Sequence, residues 1–402
     1  MQLPERFAAL PDYAFPRLRR LLEGVPGGGP EILMTIGEPR HPLPPMVAEE
    51  IAAHAADFGR YPPNDGLPGL RAAIAGWAAR RHGVALDPET QVLPLTGTRE
   101  GLFNAGLALS PETRAGGRAV VLMPNPFYQA YGAAALAAGA EPVPVPATRA
   151  TGFLPDYAAL PPALLDRVTL AYLGSPANPQ GAVAGTDYWR DLLALAERHD
   201  FRILSDECYS EIWRVAPPPG GLAMAEAAGA DPERVLVFQS LSKRSSAPGL
   251  RSGAVLGGAG AIAAMKQLRA YGGAPLPLPL QHAARALWED EAHVAASLRL
   301  YQEKFDIAGR ILGDLPGYTA PDGGFFLWLE VGDGEAAALR LWREAGVKVL
   351  PGGYLGRDTD GSGNPGAAFV RVALVAPAEE VTRGLEAIRA VLGTAMTMEG
   401  AL

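Results

Sequence analysis

The strongest constraint on this chain is a series of short apolar runs, each ending in small or polar residues and separated by stretches long enough for a helix. Residues 119–122, 169–173, 201–205 and 235–239 have the near-continuous apolar, partly β-branched character of strands buried on both faces. From about residue 45 to 279 such runs alternate with helical stretches such as 188–199. That order predicts an α/β fold, a mostly parallel sheet flanked by helices. Open sheets of this kind bind ligands beyond the carboxyl ends of their strands. The residues that follow each run are therefore the ones to read for chemistry.

After the run 235–239 comes Ser240-Leu-Ser-Lys-Arg-Ser-Ser-Ala-Pro-Gly-Leu-Arg-Ser-Gly253. Lys243 emerges there among small polar residues, with Arg251 eight residues on and Ser240 and Ser242 beside it. The pattern Gly-x-x-x-x-Gly-Lys-Ser/Thr is absent, which argues against a nucleotide P-loop. A desolvated lysine can instead form a Schiff base with a carbonyl cofactor, and the flanking groups can hold a phosphate. Pyridoxal phosphate carries both functions. Such a cofactor also needs a carboxylate for its ring nitrogen, polar groups for its phenolic oxygen, a stacking face and an anion site. Asp206, after 201–205, is the carboxylate candidate, and Tyr209 offers a hydroxyl; Glu207 and Cys208 read as packing residues. Asn178, in Asn178-Pro-Gln-Gly181, offers an amide, although Asn-Pro and Gly are also ordinary turn chemistry. Gly97 and Thr98 open an amphipathic stretch whose free amide groups favour an anion, while a simple helix cap explains Thr98 equally well. Tyr128, with Phe127 as rival, is the aromatic candidate.

Taken in order, Tyr61…Gly66, Gly97-Thr98, Asn125-Pro-Phe-Tyr128, Asn178-Pro179, Asp206-x-x-Tyr209, Ser240-x-x-Lys243 and Arg251 resemble the class I/II aminotransferases of the fold-type I pyridoxal phosphate enzymes, from about Pro11 to about Leu392. The resemblance implies roles. Lys243 would bond the cofactor aldehyde and later shuttle the substrate proton. Asp206 would pair with the ring nitrogen, Asn178 and Tyr209 would bond the phenolic oxygen, and Tyr128 would stack on the ring. Gly97, Thr98, Ser240 and Arg251 would grip the phosphate. Tyr61 would reach the phosphate of a neighbouring subunit, which implies a homodimer with shared active sites. Arg371, in an alternating run at 368–374, would fork onto a substrate carboxylate, as a lysine could not. Gly37 matches a glycine whose backbone lies beside the substrate.

Within the class, Phe15-Pro-Arg-Leu-Arg19, Ile36-Gly-Glu-Pro-Arg40, Tyr61-Pro-Pro-Asn-Asp-Gly66, Asn125-Pro-Phe-Tyr-Gln-Ala-Tyr131 and Leu350-Pro-Gly-Gly-Tyr-Leu-Gly356 resemble the N-succinyl-L,L-diaminopimelate aminotransferases. This implies transfer of an amino group from glutamate to N-succinyl-2-amino-6-oxopimelate, on the way to diaminopimelate and lysine. Alternatives in the same cofactor class are an aspartate or aromatic aminotransferase and a β-lyase. An aminotransferase-like transcription regulator would need an added DNA-binding domain, for which the residues before Pro11 leave no room. For the distal end of a succinylated substrate, Arg40 and the cluster Arg17, Arg19 and Arg20 are candidates.

The rest of the composition fits a small-molecule enzyme. Net charge is 35 − 43 = −8 without a basic cluster, so nucleic acid is not an expected partner. The chain starts without a basic-then-apolar leader and no apolar run reaches about 20 residues, so neither membrane nor export is expected and the location reads as cytoplasmic. One cysteine excludes an internal disulfide framework, and six histidines without His-x-x-x-His or Cys/His spacing suggest no metal site. The reading divides the chain into a large cofactor-binding domain at 45–279 and a smaller α+β domain built from 1–44 and 280–402. In the latter, 280–312 reads as one long or broken helix, 324–331 and 368–374 as strands, and 377–392 as a closing helix.

Overall fold

The computed structural model describes residues 5–8, 10, 12–359 and 361–399. Residues 1–4, Ala9, Pro11, Asp360 and 400–402 lie outside the described residues, and with them the exact start of the family-like segment and one position of the loop before Arg371. The main sheet has seven strands: β1 (Val92–Leu95), β2 (Val120–Asn125), β3 (Glu141–Pro146), β4 (Val168–Gly174), β5 (Arg202–Asp206), β6 (Val235–Ser240) and β7 (Gly253–Gly257). Their spatial order is β1-β7-β6-β5-β4-β2-β3. Strands β2 to β6 are parallel where they pair, whereas β7 runs antiparallel to both its neighbours, β1 and β6. The α/β expectation of a mostly parallel sheet holds, with one strand reversed.

The apolar runs are buried on both faces because successive side chains point to opposite sides. Val120, Leu122, Ile203, Val235 and Val237 join one core with Trp189, and Val121, Met123, Leu204, Leu236 and Phe238 join another with Leu102. Strand β3 reads Glu-Pro-Val-Pro-Val-Pro and occupies the sheet edge. Proline is tolerated there because an edge strand has ladder bonds on one side only.

The helices that matter for the site are α1 (Ala14–Leu22), α2 (Met46–Ala53), α3 (Thr98–Leu109), α4 (Thr186–His199), the single turn α5 (Leu241–Arg244), α6 (Leu278–Glu289), α7 (Ala292–Leu312) and α8 (Ala378–Glu399). The stretch 280–312 is thus two helices. Asp290 ends the first, and its carboxylate accepts the His293 backbone N–H at 2.9 Å, which caps the second. A second sheet, β8 (Phe326–Glu330), β9 (Leu350–Pro351) and β10 (Phe369–Ala373), has the antiparallel order β8-β10-β9. Its core gathers Tyr301 and Phe305 of α7, Leu385 and Ile388 of α8, and Met34 from the N-terminal segment. Arg371 sits on the middle strand, opposite Trp328 on one side and Leu350 on the other. Among the described residues no helix is long and apolar enough to cross a membrane.

Candidate active site

Reversal of β7 determines where the site lies. Its amino end falls on the same edge of the sheet as the carboxyl ends of β1 and β6, with Gly253 opposite both Leu95 and Ser240. Arg251, two residues before β7, therefore meets Gly97 and Thr98, just after β1. Gly97 has φ 86° and ψ 150°, a conformation that glycine adopts at little cost, and a Cβ there would collide with the Arg251 guanidinium. Arg251 itself is held in the left-handed region at φ 55°, while its Nη1 donates to Pro248 O at 2.9 Å. Ser240 Oγ accepts the Ser242 N–H at 3.1 Å and caps α5, the turn that carries Lys243. Thr98, Ser240 and Arg251 line one cavity of about 280 Å³ at the start of α3. Hydroxyls, a guanidinium and the free N–H groups of a helix start suit a phosphate.

Lys243 and Asp206 line the same cavity. Lys243 Nζ donates to Gly37 O. Burial pushes its pKa down to about 8, with the nearby Arg371 and Arg251 charges adding to the depression. Asp206, at the end of β5, is the converse case: burial raises its pKa, against hydrogen bonds from Tyr131 Oη to Oδ2 at 2.8 Å and from the Cys208 backbone N–H to Oδ1 at 3.3 Å. No lysine, arginine or histidine among the described residues forms an ion pair with it. A carboxylate held largely out of water without an ion-pair partner is costly, and a protonated pyridine nitrogen answers that need. The residues present thus fit pyridoxal phosphate at each of its polar groups. When bound, that cofactor supplies an electron sink for negative charge at the substrate Cα.

The substrate side faces Arg371. Its Nη1 donates to Asn178 Oδ1 at 3.0 Å and its Nη2 to Thr35 O at 2.8 Å, and burial pushes its pKa down to about 10. Nε is buried without a partner. Arg371, Asn178, Gly37, Tyr209 and Tyr128 all line the cavity. A Cβ on Gly37 would run into the Phe326 ring, which explains why a glycine carries the backbone past Lys243. Tyr209 is half-buried and lies edge-on to Phe325. Tyr128 Oη accepts from Arg99 Nε at 2.6 Å, whereas its rival Phe127 is 3% exposed and packs in the core. Tyr61 stands apart. It is 101% exposed and does not line the cavity of its own chain.

Two cavity residues had no assigned role in the sequence. Tyr131 is the hydroxyl partner of Asp206, and its only signal is its place three residues after Tyr128, one helical turn on. Arg99, beside Thr98, brings a further cation into the cavity. The arginines expected to read the distal end of the substrate are engaged elsewhere. Arg40 pairs with Glu380 at 2.6 Å; Arg17 lies 3.7 Å from Glu335 and over the Tyr354 ring; Arg20 pairs with Asp12; and Arg19 is exposed. None of the four lines the cavity. Glu207 points away from it, accepting from the Gly221 N–H at 2.7 Å and Ser205 Oγ at 2.9 Å, and burial raises its pKa to about 7.

A reactive lysine, an uncompensated carboxylate and a phosphate cup at the carboxyl edge of an α/β sheet define a pyridoxal phosphate enzyme. The chain belongs to the aminotransferase class I and II family, whose sequence model matches residues 30–388. It is 32% identical over 394 residues to an LL-diaminopimelate aminotransferase of Dehalococcoides mccartyi, covering 96% of this chain and 97% of the relative. A second enzyme of that name, from Desulforudis audaxviator, is 33% identical over 399 residues, with 97% of each covered. An aminotransferase structure from Neisseria meningitidis superposes with a TM-score of 0.92 at 38% identity, over 97% of this chain and 100% of that one. An aspartate aminotransferase of Thermus thermophilus, a single mutant, superposes with a TM-score of 0.82 at 26% identity, over 98% and 100%.

The depressed lysine has a measurable consequence. Only a neutral amine attacks an aldehyde, so the rate at which cofactor-free protein recaptures pyridoxal phosphate should rise about tenfold per pH unit below the lysine pKa and level off above about 8. Stopped-flow absorbance across that range checks this. A rate still climbing tenfold per unit beyond about pH 9 would mean that Lys243 keeps an ordinary lysine pKa.

Proposed function

We propose that this aminotransferase works on the diaminopimelate skeleton with its distal nitrogen succinylated, moving an amino group from glutamate to N-succinyl-2-amino-6-oxopimelate. The observation that carries this reading is the charge of the cavity wall. Its cations are Lys243, Arg251, Arg371 and Arg99, and Asp206 is the only carboxylate among the described lining residues. With Asp206 committed to the cofactor ring, no second carboxylate among the described lining residues answers the distal ammonium of free diaminopimelate. An acylated nitrogen is neutral and needs no such partner, and the succinyl group ends in a carboxylate that suits Arg99. The relatives named for LL-diaminopimelate support the carbon skeleton, and the segments around Gly37, Tyr61 and Lys243 support the succinylated form.

In this reading Arg371 and Asn178 hold the α-carboxylate, Tyr209 and Asn178 face the phenolic oxygen, and Tyr128 covers the ring. Asp206 keeps the ring nitrogen protonated, with Tyr131 fixing the carboxylate. Gly97, Thr98, Ser240 and Arg251 hold the phosphate. Lys243 would hold the cofactor by its aldehyde and would be the amine placed to take the proton from the substrate Cα. Burial of Arg371 strengthens its contact with a carboxylate by excluding water. The exposed Tyr61 completes the phosphate site of a second copy, so the working unit is a homodimer.

The test follows the cofactor absorbance of the purified enzyme on separate addition of N-succinyl-L,L-diaminopimelate, free L,L-diaminopimelate, glutamate, aspartate and N-acetylornithine. Conversion by the succinylated donor and glutamate alone supports the proposal; equal conversion by free diaminopimelate moves the assignment to the unacylated substrate. Arg99→Ala should lower kcat/KM for the succinylated donor by about 10- to 100-fold, the worth of one charge-assisted hydrogen bond at about 1.5–3 kcal/mol. For norleucine, which has no distal carboxylate, the loss should be far smaller. Equal losses for both donors would place Arg99 outside substrate recognition.

A further inference from the structure

We propose that the corner where α2 meets α6 binds a transition-metal cation of the zinc type through Glu50, His54 and His282. Glu50 and His54 stand four residues apart at the end of α2, on one face of the helix. His282 reaches the same point from α6, its ring stacked on that of His54 at 3.6 Å between centroids and 7° between planes, and binding one ion requires the two rings to turn out of this parallel stack, because a metal lies in the plane of each imidazole it bonds. One ligand atom from each of the three residues falls within 4.8 Å of the other two. His54 Nε2 lies 3.6 Å from Glu50 Oε2. That is too long for a hydrogen bond and close to the spacing of ligands on a tetrahedral ion, where bonds of about 2.1 Å put neighbouring donors about 3.4 Å apart.

Asp57 completes the arrangement from behind. Its Oδ2 lies 3.6 Å from His54 Nδ1 and 3.8 Å from His282 Nε2, while its Oδ1 accepts from Arg60. With Nε2 of His54 turned to Glu50 and the cation, Nδ1–H is left for Asp57. At 3.6 Å the two do not yet share a hydrogen bond; an approach of about 0.5 Å on metal binding would set up the carboxylate-histidine-metal relation that fixes the tautomer and raises ligand basicity. Two imidazoles and one carboxylate suit zinc, cobalt or nickel, and leave a fourth position for water; magnesium and calcium prefer all-oxygen sets. All four side chains are between 20% and 38% exposed, open enough for a cation to enter. The histidines are 228 residues apart (282 − 54), which is why no ligand spacing was visible in the sequence. A cation here would tie α2 and the 3-10 turn Ala55–Gly59 to α6, and so steady the segment that leads into the exposed Tyr61.

The experiment uses the cofactor-loaded enzyme after dialysis against a chelator, titrated with zinc by calorimetry and with cobalt by its visible absorption. Wild-type protein should take up one ion per chain, with cobalt bands that zinc abolishes. Asp57→Asn should weaken binding by about 10- to 100-fold, and the double change His54→Ala and His282→Ala should remove it while the cofactor spectrum stays as in wild type. Uptake by the double variant equal to that of wild type would overturn the site. Should the double variant lose its fold, Glu50→Gln is a near-isosteric change at a partly exposed position; unchanged zinc affinity in that variant would overturn the assigned ligand set.

Discussion

Lys243→Ala should reduce turnover below detection while the protein still takes up pyridoxal phosphate. The alanine variant keeps Thr98, Ser240 and Arg251 around the phosphate and Asp206 at the ring, so the cofactor retains its ionic anchors. It loses the only lysine amine among the described lining residues of the cavity, the group we propose to hold the aldehyde and to move the proton at the substrate Cα. Positioned acid–base groups alone contribute about 10²–10⁴ in rate, and loss of the covalent step adds to that. Equilibrium dialysis with the cofactor, paired with a multiple-turnover assay, separates the two effects. Cofactor binding without turnover supports the assignment; turnover at the wild-type rate would remove Lys243 from the chemistry.

Asp206→Asn is the second large effect, because it changes charge with little change of shape. Removing one partner from a buried charge pair costs about 3–5 kcal/mol, and at about 1.4 kcal/mol per tenfold this is roughly 10²–10⁴ in rate. The Tyr131 hydroxyl can still donate to the amide oxygen, so the variant should fold and bind substrate with a similar KM. The loss should therefore fall on kcat. A variant with unchanged kcat would make Asp206 a packing residue at the end of β5.

Much of the main sheet was legible because a strand buried on both faces leaves an uninterrupted apolar signature. The runs 119–122, 169–173, 201–205 and 235–239 correspond to β2, β4, β5 and β6, with boundaries within one residue except at the end of β2, which runs three residues further. The less visible strands have physical reasons for their silence. β3 carries three prolines, admissible only at an edge, and β7 is Gly-Ala-Val-Leu-Gly, short and bounded by glycines. The break between α6 and α7 turned on a single capping aspartate, Asp290, which a helical periodicity does not register. In the cavity, residues next to loop punctuation were found because glycine, proline and a lone lysine stand out. Tyr131 and Arg99 were missed because one lies inside a helix that reads as core and the other looks like any surface arginine. The distal-end candidates do not line the cavity of their own chain: Arg40, Arg17 and Arg20 lie beside Glu380, Glu335 and Asp12 instead.

The reversed strand also bears on how the protein comes to be built. β1 joins the sheet through β7 alone, and β7 is the last of the seven strands to be synthesised. A nascent chain ending before residue 253 therefore has no hydrogen-bonded neighbour for its first strand, although the helix that follows that strand already packs on β6. Insertion of β7 supplies that neighbour and fixes Arg251 against Gly97 in the same event, so the phosphate cup is complete only when the sheet is. Ligands that bind only the native state stabilise it by mass action. Pyridoxal phosphate captured at this cup would act as a latch on the final strand, and the appearance of its absorbance during refolding would report when the sheet has closed.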